Sequence, residues 1–386
     1  MKRVLLVPMA AMAETAGSFA RVKQLSAALI AAGHEVAVCC AEDVNYSDIE
    51  DTVKYPLSVP VPLGMPEFIG KHTFPIAQKL GVTSVKKVNS FEDVLYITGN
   101  ISYKYLNKSV TEIRRAIKEF RPDIVYSEFN ISAITAARLE GKRCFISASV
   151  PTQTEYGCNP QYATGLNRLL KEHGLDRVGS CLDVFEWAEK KFVPSCYELE
   201  PMEDSKVVYC GTLKKSKVQT SDKRNKIVAY MGNGTISVKK MQKEVSAAFA
   251  GSGYEVYIAG HGLKESVNGN IYTAPYFDFS KLLPESVLYI NHGGQNSMTD
   301  GLINSVPLLI CPGKVFERKY NASSVVNTGA GLELSYEDFN AENIRMKADS
   351  IIEDESFSKQ AAMLGRRLLQ LGGCSNIVRE CEIVST

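Results

Sequence analysis

The residues best suited to chemistry run Asn291-His292-Gly293-Gly294-Gln295-Asn296-Ser297, between an apolar strand, Val287-Leu288-Tyr289-Ile290, and a helical run. Glycines at 293 and 294 let a ligand approach the main chain, and a helix N-terminus presents free N–H groups with a partial positive charge. The turn that leaves Ile290 therefore suits a diphosphate. His292 adds a hydrogen-bond donor at the strand's end, and Asn296 and Ser297 can either cap the helix or bond phosphate. Asp300, three residues beyond Ser297, can accept from ribose hydroxyls. Two glycines and a cap also make an ordinary strand-to-helix turn with no ligand, so at this level both readings stand.

A turn of this kind needs a parallel sheet behind it. The 386 residues are too many for one ordinary domain and enough for two. Val4 to Val7 is a continuous apolar strand of the sort buried on both sheet faces. After a loop of small residues, Ser18 is expected as the N-cap of a helix whose Phe19, Val22, Leu25 and Leu29 share one face. Gly33 ends that helix and Glu35-Val36-Ala37-Val38-Cys39 is the next strand, completing a βαβ unit. Pro122-Asp123-Ile124-Val125-Tyr126, a helix from Ile131 to Leu139, and Cys144-Phe145-Ile146-Ser147 repeat the pattern. Between Tyr55 and Val88 the chain is rich in Pro and Gly with scattered apolar residues; it either covers the domain or lines a substrate cleft.

The polar, aperiodic stretch from Lys214 to Asn225 is the expected joint. A second series starts with Ile227-Val228-Ala229-Tyr230, a glycine loop at 232–235, a helix from Val238 to Phe249 and a strand from Tyr254 to Ile258. It ends in helices over 341–352 and 357–371. The expected fold is α/β, with two doubly wound Rossmann-like domains facing a cleft. Residues 1–213 are expected as the first domain, 214–225 as the linker, 226–371 as the second domain, and 372–386 as a helix that packs back on the first. Ligands bind such sheets at the carboxyl ends of their strands.

Net charge is +1 and no Lys/Arg stripe dominates a segment, which excludes nucleic acid as an expected partner. The densest basic run, Lys214-Lys215-Ser216-Lys217 with Lys223-Arg224, reads as a solvated linker. Ten cysteines lie scattered without a C-x-x-C pair, as reduced thiols used as small apolar residues. Val4 to Val7, ended by Pro8, is too short for a secretory signal or for a membrane span of about 20 residues. A cytoplasmic protein is expected, with membrane association unsupported and the oligomeric state undetermined.

Residues 290–334 resemble the donor-binding signature of glycosyltransferase family one, whose members have the GT-B fold and include macrolide and plant natural-product enzymes. The features in register are HGGQNSMTD, NSVPLLICP, FERKYNA and GAGLEL; Gly33-His34-Glu35-Val36 adds a weaker match in the first half. The resemblance implies that His292, Gly293, Gly294, Asn296 and Ser297 contact the donor diphosphate. Gly232, Asn233, Gly234 and Thr235 then supply a second phosphate-facing loop. Asp300 takes the place of the ribose-binding acid. Glu317 and Arg318 stand where an acid–Gln pair holds the sugar hydroxyls, and Glu317 is also simply favoured at a helix start. Arg318 departs from the pattern and would favour an acidic sugar or pair with phosphate. Tyr276 or Phe277 lies where the base would stack, or else packs in the core.

Inverting transfer needs a base for the acceptor hydroxyl. The family's histidine position is occupied here by Ser18, which has no useful basicity. Glu14, Glu128 and Glu155 are the candidates on that side of the cleft, with Glu14 first because its loop faces the donor. The resemblance thus implies an inverting, metal-independent transferase, with a UDP- or TDP-sugar as co-substrate, no further cofactor, and a small hydroxylated acceptor. A nucleotide-sugar hydrolase or epimerase and a non-catalytic helper on the same fold are the alternatives.

Overall fold

The computed structural model describes the chain except residues 11–15, 42–48, 50, 63–87, 158, 215–220, 222, 233–235 and 384–386. Glu14, Asn233, Gly234, Thr235, most of the 214–225 joint and most of the Tyr55–Val88 insert lie outside the described residues.

The first half contains β1 (Arg3–Pro8), α1 (Ala16–Ala31), β2 (Glu35–Cys40), β3 (Val53–Pro56), α2 (Phe91–Ile97), α3 (Tyr103–Phe120) and β4 (Ile124–Glu128). It continues with α4 (Ile131–Leu139), β5 (Arg143–Ser147), α5 (Thr164–Glu172), β6 (Lys190–Val193) and β7 (Val207–Tyr209). The strands lie in the order β3-β2-β1-β4-β5-β6-β7 and every pair is parallel. Val4 to Val7 are fully buried: Leu5 and Val7 enter the core on one face, Val4 and Leu6 the core on the other. Successive side chains on a strand point to opposite faces, so a four-residue apolar run feeds both layers at about 1.5–3 kcal/mol per side chain.

The second half holds β8 (Lys226–Tyr230), α6 (Val238–Phe249), β9 (Glu255–Ala259), β10 (Ser266–Asn268), β11 (Ile271–Ala274), α7 (Phe279–Leu282) and β12 (Ser286–Asn291). Then come α8 (Gln295–Ile303), β13 (Leu308–Ile310), α9 (Phe316–Asn327), β14 (Gly331–Glu333), α10 (Ala341–Glu353) and α11 (Glu355–Gln370). The sheet runs β10-β11-β9-β8-β12-β13-β14, parallel except for the β10 edge. In both sheets the strand order reverses beside the first strand, between β1 and β4 and between β8 and β12. Those switch points are where open α/β sheets form ligand crevices.

After α11, Gly372 and Gly373 both take positive φ (82° and 57°), a turn that a residue with a Cβ resists. The chain then forms α12 (Cys374–Glu382), whose Ile377 and Cys381 join the core of the first sheet with Val22 and Leu25.

Several local expectations change. Helix α1 begins at Ala16, so Ser18 sits inside the first turn instead of capping it. The basic run 214–224 is not simply solvated. Lys214 is held by Asp300, and Arg224 donates to the carbonyls of Asn304 and Ser305, both at 3.0 Å, at the C-terminal end of α8 where a cation is favoured. None of the described cysteines forms a disulfide and, Cys374 apart, they are buried. Among the described residues no helix is long and apolar enough to cross a membrane.

Candidate functional site

The turn between β12 and α8 is fixed from several sides. Gly293 has φ 77°; its N–H donates to Asn291 Oδ1 at 2.8 Å and its carbonyl accepts from Asn321 Nδ2 at 2.7 Å. A Cβ on Gly293 would stand 2.8 Å from Ile310 Cγ2 and 3.0 Å from the Arg318 carbonyl oxygen. The N-cap is Gly294, which has no side chain to spend on the helix's free donors. The first helical bond runs from Met298 N–H to the Gly294 carbonyl (2.9 Å). Among the described residues, none accepts from the N–H groups of Gln295, Asn296 or Ser297. Three orphan amides at a glycine-capped helix start are able to receive an anion.

The side chains around it divide the work. The His292 ring meets Tyr230 edge-on (6.0 Å between centroids, 79°), and its Nδ1 is buried without a partner among the described residues. Burial, and then the charge of Arg318, pulls its pKa down to about 3, so the imidazole is neutral and donates through one nitrogen. Gly232, with φ 49°, faces that ring: a Cβ there would lie 3.0 Å from His292 Cε1. Asn296 is half-buried at the helix start. Ser297 is buried with its hydroxyl against that of Tyr289. The Gln295 side chain reaches across to the Pro194 carbonyl (3.1 Å), tying α8 to the first half.

Asp300 does not stand open for a ribose. Lys214 Nζ contacts both carboxylate oxygens, at 2.7 and 2.6 Å; burial raises the carboxyl's pKa while Lys214 opposes the rise. Glu317 and Arg318 open α9; Glu317 is exposed and Arg318 half-buried, its pKa lowered by burial. Tyr276 is 76% exposed just past the carboxyl end of β11, free to stack on a base, whereas Phe277 packs edge-on against Tyr257 (5.3 Å). Among the described residues, no three His, Cys, Asp or Glu side chains are grouped to hold a metal ion.

Opposite lies the carboxyl end of β4, paired with that of β1 at Pro8↔Glu128. Glu128 is 2% exposed and accepts from Arg21 Nε at 2.5 Å and from the Ser147 hydroxyl, which also meets Tyr126 (2.8 Å). Ser18 Oγ accepts a long 3.4 Å contact from Arg21 Nη2. Both Glu128 carboxylate oxygens are therefore already engaged within the first half. Glu155 is exposed on the rim of an interdomain cleft of about 720 Å³.

Two participants were not read from the sequence. Arg21 looks like any charged position on α1; its partner is 107 residues away. Glu200 lies in Glu198-Leu199-Glu200-Pro201, which has neither periodicity nor motif. It is 3% exposed, and burial, reinforced by the charge of Glu317, lifts its pKa to about 7.

Two doubly wound, largely parallel sheets in tandem α/β domains make up the GT-B fold. Solved structures agree along the whole chain. The calicheamicin glycosyltransferase CalG4 superposes with a TM-score of 0.75 at 16% identity, covering 99% of this chain and 98% of that one. The spinosyn rhamnosyltransferase SpnG complexed with thymidine diphosphate gives 0.68 at 17% identity, covering 99% and 100%.

In sequence, residues 256–384 match the C-terminal domain of the erythromycin biosynthesis protein CIII-like family. An uncharacterized UDP-glucosyltransferase, YojK, of Bacillus subtilis (strain 168) is 27% identical over 160 residues, 39% of this chain and 38% of that protein. A second from the same organism, YdhE, is 26% identical over 188 residues, 47% of this chain. The match thus spans about two fifths of these two relatives' length (38% and 43%). The resemblance read from residues 290–334 to family-one glycosyltransferases is borne out.

Proposed function

We propose that the protein transfers a sugar from a nucleoside diphosphate to a hydroxyl of a small acceptor, with inversion and without a metal. The observation that carries this is the triplet of unsatisfied amides at Gln295, Asn296 and Ser297, beside a neutral His292, at the switch point of the second sheet. As the glycosidic C–O bond breaks, negative charge grows on the leaving diphosphate. Fixed N–H dipoles aimed at that charge stabilise the transition state more than the ground state. Arg318 lies next to the same turn and adds a cation for phosphate or for an acidic sugar. Asp300 takes the ribose once Lys214 yields it, and Tyr276 stacks on the base.

Transfer would be tested by incubating the protein with UDP- and TDP-sugars and a panel of hydroxylated acceptors, reading added hexose by mass spectrometry and the product's anomeric configuration by NMR. Activity should persist in EDTA. Release of nucleoside diphosphate without an acceptor product would identify a hydrolase. No thermal shift with UDP, TDP or GDP would favour a helper protein and refute the donor site.

A further inference from the structure

We propose that Glu200 receives the acceptor hydroxyl's proton during transfer, in place of the imidazole that the Ser18 position lacks; this rests on the transferase reading above. The residue is pinned at the seam of the two halves. Its Oε2 accepts from the Val150 N–H (3.0 Å), past the end of β5, and its own carbonyl accepts from the Tyr209 hydroxyl on β7 (2.7 Å). The preceding carbonyl, of Leu199, accepts from Ser324 (2.5 Å) and Tyr320 (3.3 Å) of α9. Contacts from both halves therefore fix the main chain at this residue, and the Val150 N–H fixes one carboxylate oxygen.

The ionisable groups whose fields reach it are Arg21 from α1, Glu317 and Tyr320 from α9 and Tyr209 from β7. Among the described residues none of them hydrogen-bonds the carboxylate, and no donor reaches Oε1. The contrast with Glu128 is chemical. Glu128 is neutralised by contact with a guanidinium, while Glu200 is buried with a single N–H as support. Burial alone raises a carboxyl's proton affinity, and a group balanced near neutrality is what proton abstraction at that pH requires. Glu317, whose charge acts on Glu200, neighbours Arg318, whose charge acts on His292. Glu200 thus lies within electrostatic reach of Glu317, which the family resemblance assigns to the donor sugar.

The step balances within the reactants. The acceptor O–H proton passes to Glu200 Oε1, and the acceptor oxygen bonds the anomeric carbon. The bond from that carbon to the diphosphate oxygen breaks on the opposite side, its electron pair leaving with the diphosphate, and Glu200 then releases the proton to water.

The test compares the 386-residue chain with its E200Q and E14Q variants, using a donor and acceptor that the wild type accepts. Wild-type kcat/KM should fall tenfold per pH unit below about 7. E200Q should keep its thermal shift with UDP or TDP and lose about 10²–10⁴ of the transfer rate, its residual rate lacking that acidic limb. A folded E200Q that keeps the limb, or loses less than about tenfold, overturns the proposal, as does E14Q abolishing the limb by itself. Should E200Q fail to fold, the wild-type profile decides: no acidic limb near neutrality overturns it, and a limb that moves in E200D supports it. A wild type that transfers nothing overturns the transferase reading itself, and Glu200's role falls with it.

Discussion

At the switch point of the second sheet the chain presents main-chain amides to the cleft, and at that of the first it presents a buried ion pair. Pro8↔Glu128 and Tyr230↔Asn291 are equivalent pairs at the carboxyl ends of neighbouring parallel strands. Beyond Asn291 two glycines follow and the helix start is left unspent. Around Glu128, Arg21 and Ser147 each bond one carboxylate oxygen, and Tyr126 backs Ser147. One topology thus yields a site that can grip an anion and a site that cannot. Side-chain capping and charge pairing decide which.

The contrast can be broken from its first-half side. Arg21→Ala leaves Glu128 charged and buried without its cation, and should destabilise the protein by about 3–5 kcal/mol. Chemical denaturation measures this. The double variant R21A/E128Q should recover a large part of the loss, and no recovery would mean that the pair is not the reason. A smaller effect sharpens the second-half side: His292→Ala should weaken nucleoside diphosphate binding by about 1.5–3 kcal/mol, read by calorimetry. Because burial pulls this imidazole's pKa down to about 3, wild-type affinity should show no histidine step between pH 5 and 8. A step near the ordinary histidine value would contradict the neutral ring. The smallest effect concerns the joint. Lys214 and Asp300 are both partly exposed, so Lys214→Ala should change stability by no more than about 1 kcal/mol. It should tighten nucleotide binding, since Asp300 no longer has to be released. Weaker binding would show that Lys214 itself holds the ligand.

The sequence disclosed the parts whose cause is local. Helices over Ile131–Leu139 and Val238–Phe249 have the expected bounds, because apolar spacing ran between a capping Asn130 or Ser237 and a clear end. The β12–α8 turn was legible for the same reason: strand, glycines and helix start are contiguous. Helix α3 was missed although Leu106, Val110, Ile113, Ile117 and Phe120 keep helical spacing, since the irregular insert before it masked the change of period. Strands β7 and β14, with three residues each, are too short to show any periodicity and exist because neighbouring strands pair with them. The Arg21–Glu128 pair, the Lys214–Asp300 clamp and the seam position of Glu200 arise from tertiary contacts 107, 86 and, to Val150, 50 residues apart. No window on the sequence contains them.

The most direct test of the account is a crystal structure of the protein soaked with UDP or TDP. It should place diphosphate oxygens within hydrogen-bonding distance, about 2.7–3.2 Å, of the amides of Gln295, Asn296 and Ser297, with the His292 ring beside them. A nucleotide bound elsewhere, with those three amides turned to water or to the protein, would contradict it.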